Sequence, residues 1–450
     1  MTDSSLLNSR NNAGPAKNSA SEILADLPNN DIDRQTSIDR SFLPADTKAF
    51  EQIGERGYIT QSALRRLRNR KGIDEMKNPF VYGEEVTGEA FWNRTKEIKE
   101  LAQDIQNGQN VIIFSARRYG KTSLIKTVLD KVKKEGVLTV YVDLYPAITK
   151  EKFVGVYAKA VSRSLGKPTQ KILDAVKRLF PKLIPKIVIR GEGDAEFEFD
   201  YEPRNVFKTS LPDILNAVHK RAVEEKKTAC VAFDEFQEIA NYADDEIEKE
   251  MRTIFQFHRD VSYIFLGSKK HLFGRIFQNP NRPFYKSGKH LPLGRLPIAE
   301  VEKYIKEKFA EGKIKASREV IASIAETGAG HPYYTQLLGH ILWDECFEKK
   351  QILAKDVEEG LDKMLKREGE VYETILDGLT RKQKSLLTAL SLEPDAQVFS
   401  SQFLSRFHLG SASSAQRAFQ GLIEKDLLDR ENDRFVFQDP FFTLWLQKRR

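Results

Sequence analysis

The residues best placed to do chemistry lie in one short stretch, Ser115-Ala-Arg-Arg-Tyr-Gly-Lys-Thr-Ser123. It follows Val111 to Phe114, a continuously apolar run of the kind that forms a strand buried on both faces. From Lys121 onward the chain reads as the first turn of a helix. A strand, a tight loop and a helix start aim several backbone N–H groups, and the positive end of the helix dipole, at one point. That point suits phosphate. Ser115, Ala116, Arg117, Arg118, Tyr119, Gly120 and Ser123 would cradle it. Lys121 would reach the terminal phosphate oxygens, and Thr122 would offer its hydroxyl to Mg²⁺. The pattern G-x-x-x-x-G-K-[ST] is met at every fixed position except the first, where Ser115 must avoid the positive φ that glycine allows.

A second apolar run, Ala229 to Phe233, ends in Asp234-Glu235-Phe236-Gln237. An Asp at the C-terminal end of a strand beside the first one can hold Mg²⁺, usually through water, and the Glu after it can polarise an attacking water. Taken alone, this is an acidic turn after a core strand. Downstream of a phosphate loop, the catalytic reading becomes the better one. A third run, Val261 to Gly267, is followed by Ser268, a polar residue at a strand end where it can sense a terminal phosphate or the water.

The elements that must position these groups can be read along the chain. Residues 1–77 open Ser/Asn/Asp-rich without periodicity, and are expected to be disordered or loosely docked. Within them Tyr58 to Lys71 could form a basic helix, either solvated or an anchor for a partner or for nucleic acid. A helix from Glu89 to Gln106 carries Ile98, Leu101 and Ile105 at helical spacing. Phe80, Val81 and Phe91 are candidates for a wall against a base, with at least two of the three expected in the core. Val137 to Leu144 makes another strand, and Ile172 to Tyr201 reads as an insertion ending in an exposed alternating strand. Strands alternating with helices, with catalytic groups at strand C-terminal ends, imply an α/β fold: a doubly wound parallel sheet over 78–297.

From Ile298 the pattern turns helical, giving an all-α lid over 298–379. Two of its helices are joined by Gly328-Ala-Gly-His-Pro-Tyr-Tyr334, where glycines and a helix-starting proline could lay His331 and Pro332 close to a base. Residues 380–450 read as three helices and a hairpin, a winged helix-turn-helix. Its third helix would offer Ser411, Ser413, Ser414, Gln416 and Arg417 to a major groove, with Ser413, Gln416 and Arg417 as the candidate DNA contacts. Eleven basic and eight acidic side chains in this unit leave protein contact as open as DNA.

Composition narrows the classes. The net charge of +7 over 450 residues permits nucleic-acid binding without demanding it. From Val261 to Ala299, however, there are seven Lys or Arg and no acid: Lys269, Lys270, Arg275, Arg282, Lys286, Lys289 and Arg295. Such a cluster could supply an arginine finger, face a polyanion, or be a solvated surface. No apolar stretch is long enough to span a membrane, and the polar N-terminus lacks a secretory core, so the expected location is cytoplasmic. Cys230 and Cys346, the two cysteines, have no metal-type spacing and read as reduced packing residues.

With these parts in place, the chain resembles the archaeal-type ATPases, AAA-like P-loop NTPases related to STAND signalling and origin-recognition ATPases. The residues that carry the resemblance are Ala116 to Leu124, Phe233 to Ile239, Phe265 to Ser268, Gly330 to Tyr334 and Asp439-Pro-Phe-Phe442. The resemblance covers roughly residues 78–450. It implies ATP and Mg²⁺, with Lys121, Thr122, Asp234 and Glu235 in the roles above and a Gly-His-Pro loop near the adenine. No arginine follows Gly330-His331-Pro332, where replication-type relatives carry a sensor arginine, which favours a slow switch over a fast motor. Three functions follow: a nucleotide switch acting on a partner through the winged helix, an ATP-regulated duplex-DNA binder, or a scaffold with a silent site. A nucleotide-dependent oligomer is compatible with the first two.

Overall fold

The structure, a computed structural model, describes residues 77–86, 91–190, 194–200, 206–431 and 434–449. The basic segment Tyr58 to Lys71 lies outside the described residues. Contacts divide the chain into Met1–Lys77 and Asn78–Arg450, and the second unit carries every described helix and strand.

Helix α1 (Thr95–Gln106) leads into strand β1 (Val111–Phe114), and α2 (Lys121–Lys134) follows the loop. The expected helix from Glu89 starts too early. Asn93 and Arg94 hold φ of 73° and 61°, left-handed values that a right-handed helix cannot include. Next come β2 (Leu138–Asp143), α3 (Lys150–Leu165), α4 (Gln170–Leu179), the antiparallel hairpin β3 (Ile184–Arg190) and β4 (Asp194–Asp200), and α5 (Val206–Glu225). Then β5 (Ala229–Asp234), α6 (Glu246–Phe255), β6 (Val261–Gly267), α7 (Lys270–Phe277) and β7 (Lys289–Pro292) complete the α/β part.

The five-stranded sheet has the order β2-β5-β6-β1-β7, and every pairing in it is parallel. This corrects one expectation: β5, which ends in Asp234, is not the neighbour of β1, because β6 lies between them. Side chains alternate as a doubly covered sheet requires. Ile112, Val231, Phe233, Tyr263 and Phe265 enter the core on one face. Val111, Ile113, Cys230, Ala232, Ile264 and Leu266 enter the core on the other, against Leu124, Ile125, Val128 and Val132 of α2. Each of these large apolar side chains contributes roughly 1.5–3 kcal/mol by leaving water, and α2 is thereby fixed with its first turn at the carboxyl edge.

The helical part comprises α8 (Ile298–Glu311), α9 (Arg318–Thr327), α10 (Pro332–Cys346) and α11 (Ala354–Asp377), with the short parallel pair β8 (Lys315–Ala316) and β9 (Gln351–Ile352). The C-terminal part follows as α12 (Arg381–Leu392), α13 (Ser401–Arg406), α14 (Ala412–Glu424), the hairpin β10 (Leu428–Glu431) and β11 (Arg434–Phe437), and α15 (Pro440–Lys448). One continuous apolar core joins both, running from Val301 through Leu365 and Tyr372 to Leu446. Phe80 belongs to this core, packed on Phe309, Tyr304 and Trp343.

Candidate nucleotide site

Asp234 closes β5 with its side chain buried. Three donors converge on its carboxylate. Thr122 Oγ1 donates to Oδ2 at 2.6 Å, the Tyr141 hydroxyl of neighbouring β2 donates to Oδ2 at 2.8 Å, and the Glu235 N–H donates to Oδ1 at 2.9 Å. The two residues read as sharing Mg²⁺ therefore touch. A hydroxyl and a carboxylate, both hard oxygen donors at the mouth of a phosphate loop, suit a Mg²⁺ that draws its other ligands from phosphate and water.

Lys121 is almost fully buried, and its Nζ donates to the carbonyls of Ser115 at 3.2 Å and Ala116 at 3.5 Å. Burial pulls its ammonium below the ordinary lysine range, against the opposing pull of the Glu235 and Asp234 carboxylates. A cation held by neutral carbonyls can exchange them for phosphate oxygens, which are stronger acceptors. The departure at Ser115 is absorbed without strain. The left-handed φ values of the loop fall on Arg118 (66°) and Gly120 (81°), not on Ser115, whose hydroxyl donates to the Ala116 carbonyl at 3.0 Å. Arg117 is exposed beside Lys121. Ser123 is committed elsewhere, its Oγ accepting the Val86 N–H at 3.2 Å.

Glu235 follows in a left-handed conformation, φ 52°, uncommon for a non-glycine residue. The Ser268 hydroxyl donates to its Oε2 at 2.8 Å, and the Gln237 amide donates to the same oxygen. The intercalated β6 makes this possible, since its C-terminal end delivers Ser268 to the end of β5. Sequence reasoning passed over Tyr141 and Gln237, whose partners are set by strand order rather than by any local pattern.

On the helical side, His331 precedes α10, with Pro332 in its first turn, and is buried against the ring of Tyr119 at 4.4 Å between centroids. Burial, with Arg295 and Arg118 nearby, pushes the His331 imidazole down to about 3, so it is neutral. Gly330 is required where it stands. Its φ is 65°, its carbonyl accepts the Leu296 N–H at 2.8 Å, and a Cβ there would meet the Leu296 carbonyl oxygen at 2.4 Å.

Arg118 crosses from the loop to the helices. Its guanidinium lies 4.2 Å from the Tyr333 ring centre and pairs with Glu368 of α11 at 3.1 Å, while the Tyr333 hydroxyl donates to the other Glu368 oxygen at 2.9 Å. The adjacent Tyr334 donates to Asp439 Oδ2, as does Tyr372 at 3.0 Å. Asp439 Oδ1 accepts the Phe441 and Phe442 N–H groups and caps α15. Side chains thus connect the loop to the last helix of the chain.

The basic stretch is less open than its sequence. Lys269 pairs with Glu238, Arg282 with Glu248, and Lys289 with Glu100 and Asp104, all acids from outside the stretch. On α14, Ser413, Gln416 and Arg417 are exposed, while Ala415, Ala418, Phe419 and Leu422 are buried.

The chain matches solved structures over nearly their whole length. A Walker-type ATPase of Pyrococcus abyssi superposes with a TM-score of 0.58 at 16% identity, over 82% of this chain and 99% of that one. The ORC2 protein of Aeropyrum pernix, in ADPNP–ADP complexes, gives 0.51 at 13% identity, over 83% and 97%. The chain has the fold of an AAA-like P-loop ATPase. The family model described as "Probable winged helix domain" matches residues 370–448, from the end of α11 through α15. The P-loop fold with a C-terminal winged helix agrees with the resemblance read from the sequence. No curated protein matches the chain significantly. No helix among the described residues is long and apolar enough to cross a membrane.

Proposed function

We propose that this chain is a cytoplasmic, slow ATPase that acts as a molecular switch, in which the nucleotide held at the P-loop sets the pose of the winged helix toward a partner. The observation that carries the reading is the side-chain path from Arg118 through Tyr333 and Glu368 to α11, and from Tyr334 to Asp439 at the start of α15.

In this reading the loop from Ser115 to Ser123 receives the phosphates, with Lys121 as the movable cation. Thr122 and Asp234 hold Mg²⁺, which when bound neutralises developing phosphate charge. Glu235 takes the proton of the attacking water, and Ser268 stands beside it where the terminal phosphate arrives. His331, neutral and buried next to Tyr119, lies with Pro332 against the base. The functional parts are 78–297 for the nucleotide core, 298–379 for the lid and 380–450 for the winged helix. A neighbouring copy could add an arginine, making oligomerisation nucleotide-dependent.

The test is ATP hydrolysis by the purified chain. Turnover lost in both Lys121→Ala and Glu235→Gln, with ATP binding lost only in the first, is expected. Equal turnover in Glu235→Gln and wild type would remove Glu235 from the mechanism.

A second reading, an ATP-regulated duplex-DNA binder, is favoured by the exposed row Ser413, Gln416 and Arg417 on α14. Binding that weakens by several decades as salt rises would support it, as expected when about six or more phosphates are neutralised. A flat salt response would leave a protein partner.

A further inference from the structure

We propose that Gln237 is a positioning residue for hydrolysis, holding Glu235 and the end of β6 in one fixed relation so that a single carboxylate oxygen of Glu235 is left to meet the water. The proposal rests on the reading of Glu235 as the base.

Gln237 follows Glu235 by two residues, in the short turn of 3-10 helix Phe236–Asn241, and its side chain is completely buried. Both ends of its carboxamide are used. The amide nitrogen donates to Glu235 Oε2 and lies 3.5 Å from the Ser268 hydroxyl, while the amide oxygen accepts the Ser268 backbone N–H at 3.3 Å. Ser268 Oγ donates to the same Glu235 Oε2 at 2.8 Å. Two donors therefore occupy one carboxylate oxygen, and neither occupies the other.

The packing leaves this arrangement little freedom. A Cβ on Gly267 would lie 2.9 Å from the Gln237 amide oxygen and 2.3 Å from the Phe273 ring, so only glycine lets the end of β6 approach so closely. Glu235 itself sits at φ 52° and needs support from its surroundings to stay there. A buried, two-ended amide differs from a solvated glutamine in what it does. It fixes which lone pairs of its neighbour remain available, and a base displaced by about 1 Å loses on the order of a hundredfold in rate.

Gln237→Met, similar in size but unable to make these hydrogen bonds, is compared with wild type in the Glu235 and the Glu235→Gln backgrounds, reading kcat and ATP affinity. The expected result is a fall in kcat of about ten- to a hundredfold with ATP affinity unchanged within twofold, and no further fall when Glu235 is already Gln. Gln237→Glu, of the same shape, is the second variant. Its ionised carboxylate would repel Glu235, so kcat should fall at least as far, and its pH profile should tilt toward the acid side, where a protonated Glu donates as the amide did. The proposal is overturned if Gln237→Met keeps kcat within twofold of wild type. It is equally overturned if affinity and kcat fall together, or if the loss is the same in the Glu235→Gln background. If Glu235→Gln alone turns over like wild type, the assignment of the base fails and this proposal fails with it. A fault confined to Gln237 leaves Glu235→Gln inactive.

Discussion

Two carboxylates, buried Asp234 and partly buried Asp439, anchor polar networks that are built differently. Asp234 takes donors from α2, β2 and its own backbone, with Lys121 and Glu235 beside it at the carboxyl edge of the sheet. Asp439 is closed on itself: Tyr334 and Tyr372 fill one oxygen, two helix N–H groups fill the other, and burial pushes its carboxyl up. The first has the makings of a ligand site, with a cation, a hydroxyl and a second carboxylate around it. The second has those of a joint. Between them lies Arg118, a P-loop residue in a left-handed conformation whose charge is spent on Glu368. The two networks are thus distinct and joined by a few side chains.

The largest effect expected on the ligand side is that of Lys121→Ala, which should abolish measurable ATP binding and lower hydrolysis by at least about a hundredfold. Titration with a fluorescent ATP analogue would show it, and retained affinity would mean the loop is not the site. Glu235→Gln should come next, with turnover reduced by about 10²–10⁴ and affinity kept.

On the joint side the expected cost is stability rather than chemistry. Asp439→Ala removes the α15 cap and leaves the mutually bonded Tyr334 and Tyr372 hydroxyls with one donor unpaired, about 2–4 kcal/mol in all, while leaving ATP affinity intact. Urea denaturation beside nucleotide titration would check both halves. A loss of ATP affinity with unchanged stability would reverse the roles assigned to the two networks.

Acid provides a smaller test that touches each side. His258, bonded to Tyr263 and Asn216, is pushed down to about 4, and His331 to about 3, both first by burial. Both are neutral in the fold, whereas the unfolded chain takes up protons below about 6.5. Their contribution to stability is therefore full above about 6.5 and is lost as pH falls toward the folded values, at up to about 1.4 kcal/mol per pH unit for each. His258→Asn should flatten the fall in urea midpoint between pH 7 and pH 5. An unchanged slope would exonerate that imidazole. The smallest effect belongs to the Arg118–Glu368 pair. With Arg118 nearly half exposed, a double-mutant cycle should give only about 0.5 kcal/mol in stability, so any larger influence on nucleotide response would come from position.

Much of this was legible in the sequence, for physical reasons. Val111–Phe114, Ala229–Asp234 and Val261–Gly267 are buried on both faces and announce themselves as unbroken apolar runs. The motif residues at their ends followed from that. Strand order did not, because an apolar run says nothing about which strand lies beside it, and β6 between β1 and β5 was missed for this reason. Four strands escaped altogether, among them the two-residue pair Lys315–Ala316 and Gln351–Ile352 within the stretch read as helical. Ile184–Arg190 contains Pro185 and Lys186 and, among the described residues, pairs only with its hairpin partner, and Lys289–Pro292 is a polar edge strand ending in proline. The joints were beyond reach for another reason: Arg118 meets Glu368 across 250 residues, and Tyr334 meets Asp439 across 105. Nothing local marks such pairs.

The central claim, that the nucleotide governs the winged helix through this joint, is tested most directly by amide hydrogen exchange in α15 and α14. It would be compared between ADP and a non-hydrolysable ATP analogue, in wild type and in Arg118→Ala, with both nucleotides shown to bind. Protection that differs between the nucleotides in wild type, and no longer differs in Arg118→Ala, is the predicted result. Identical protection with both nucleotides in wild type would contradict the account.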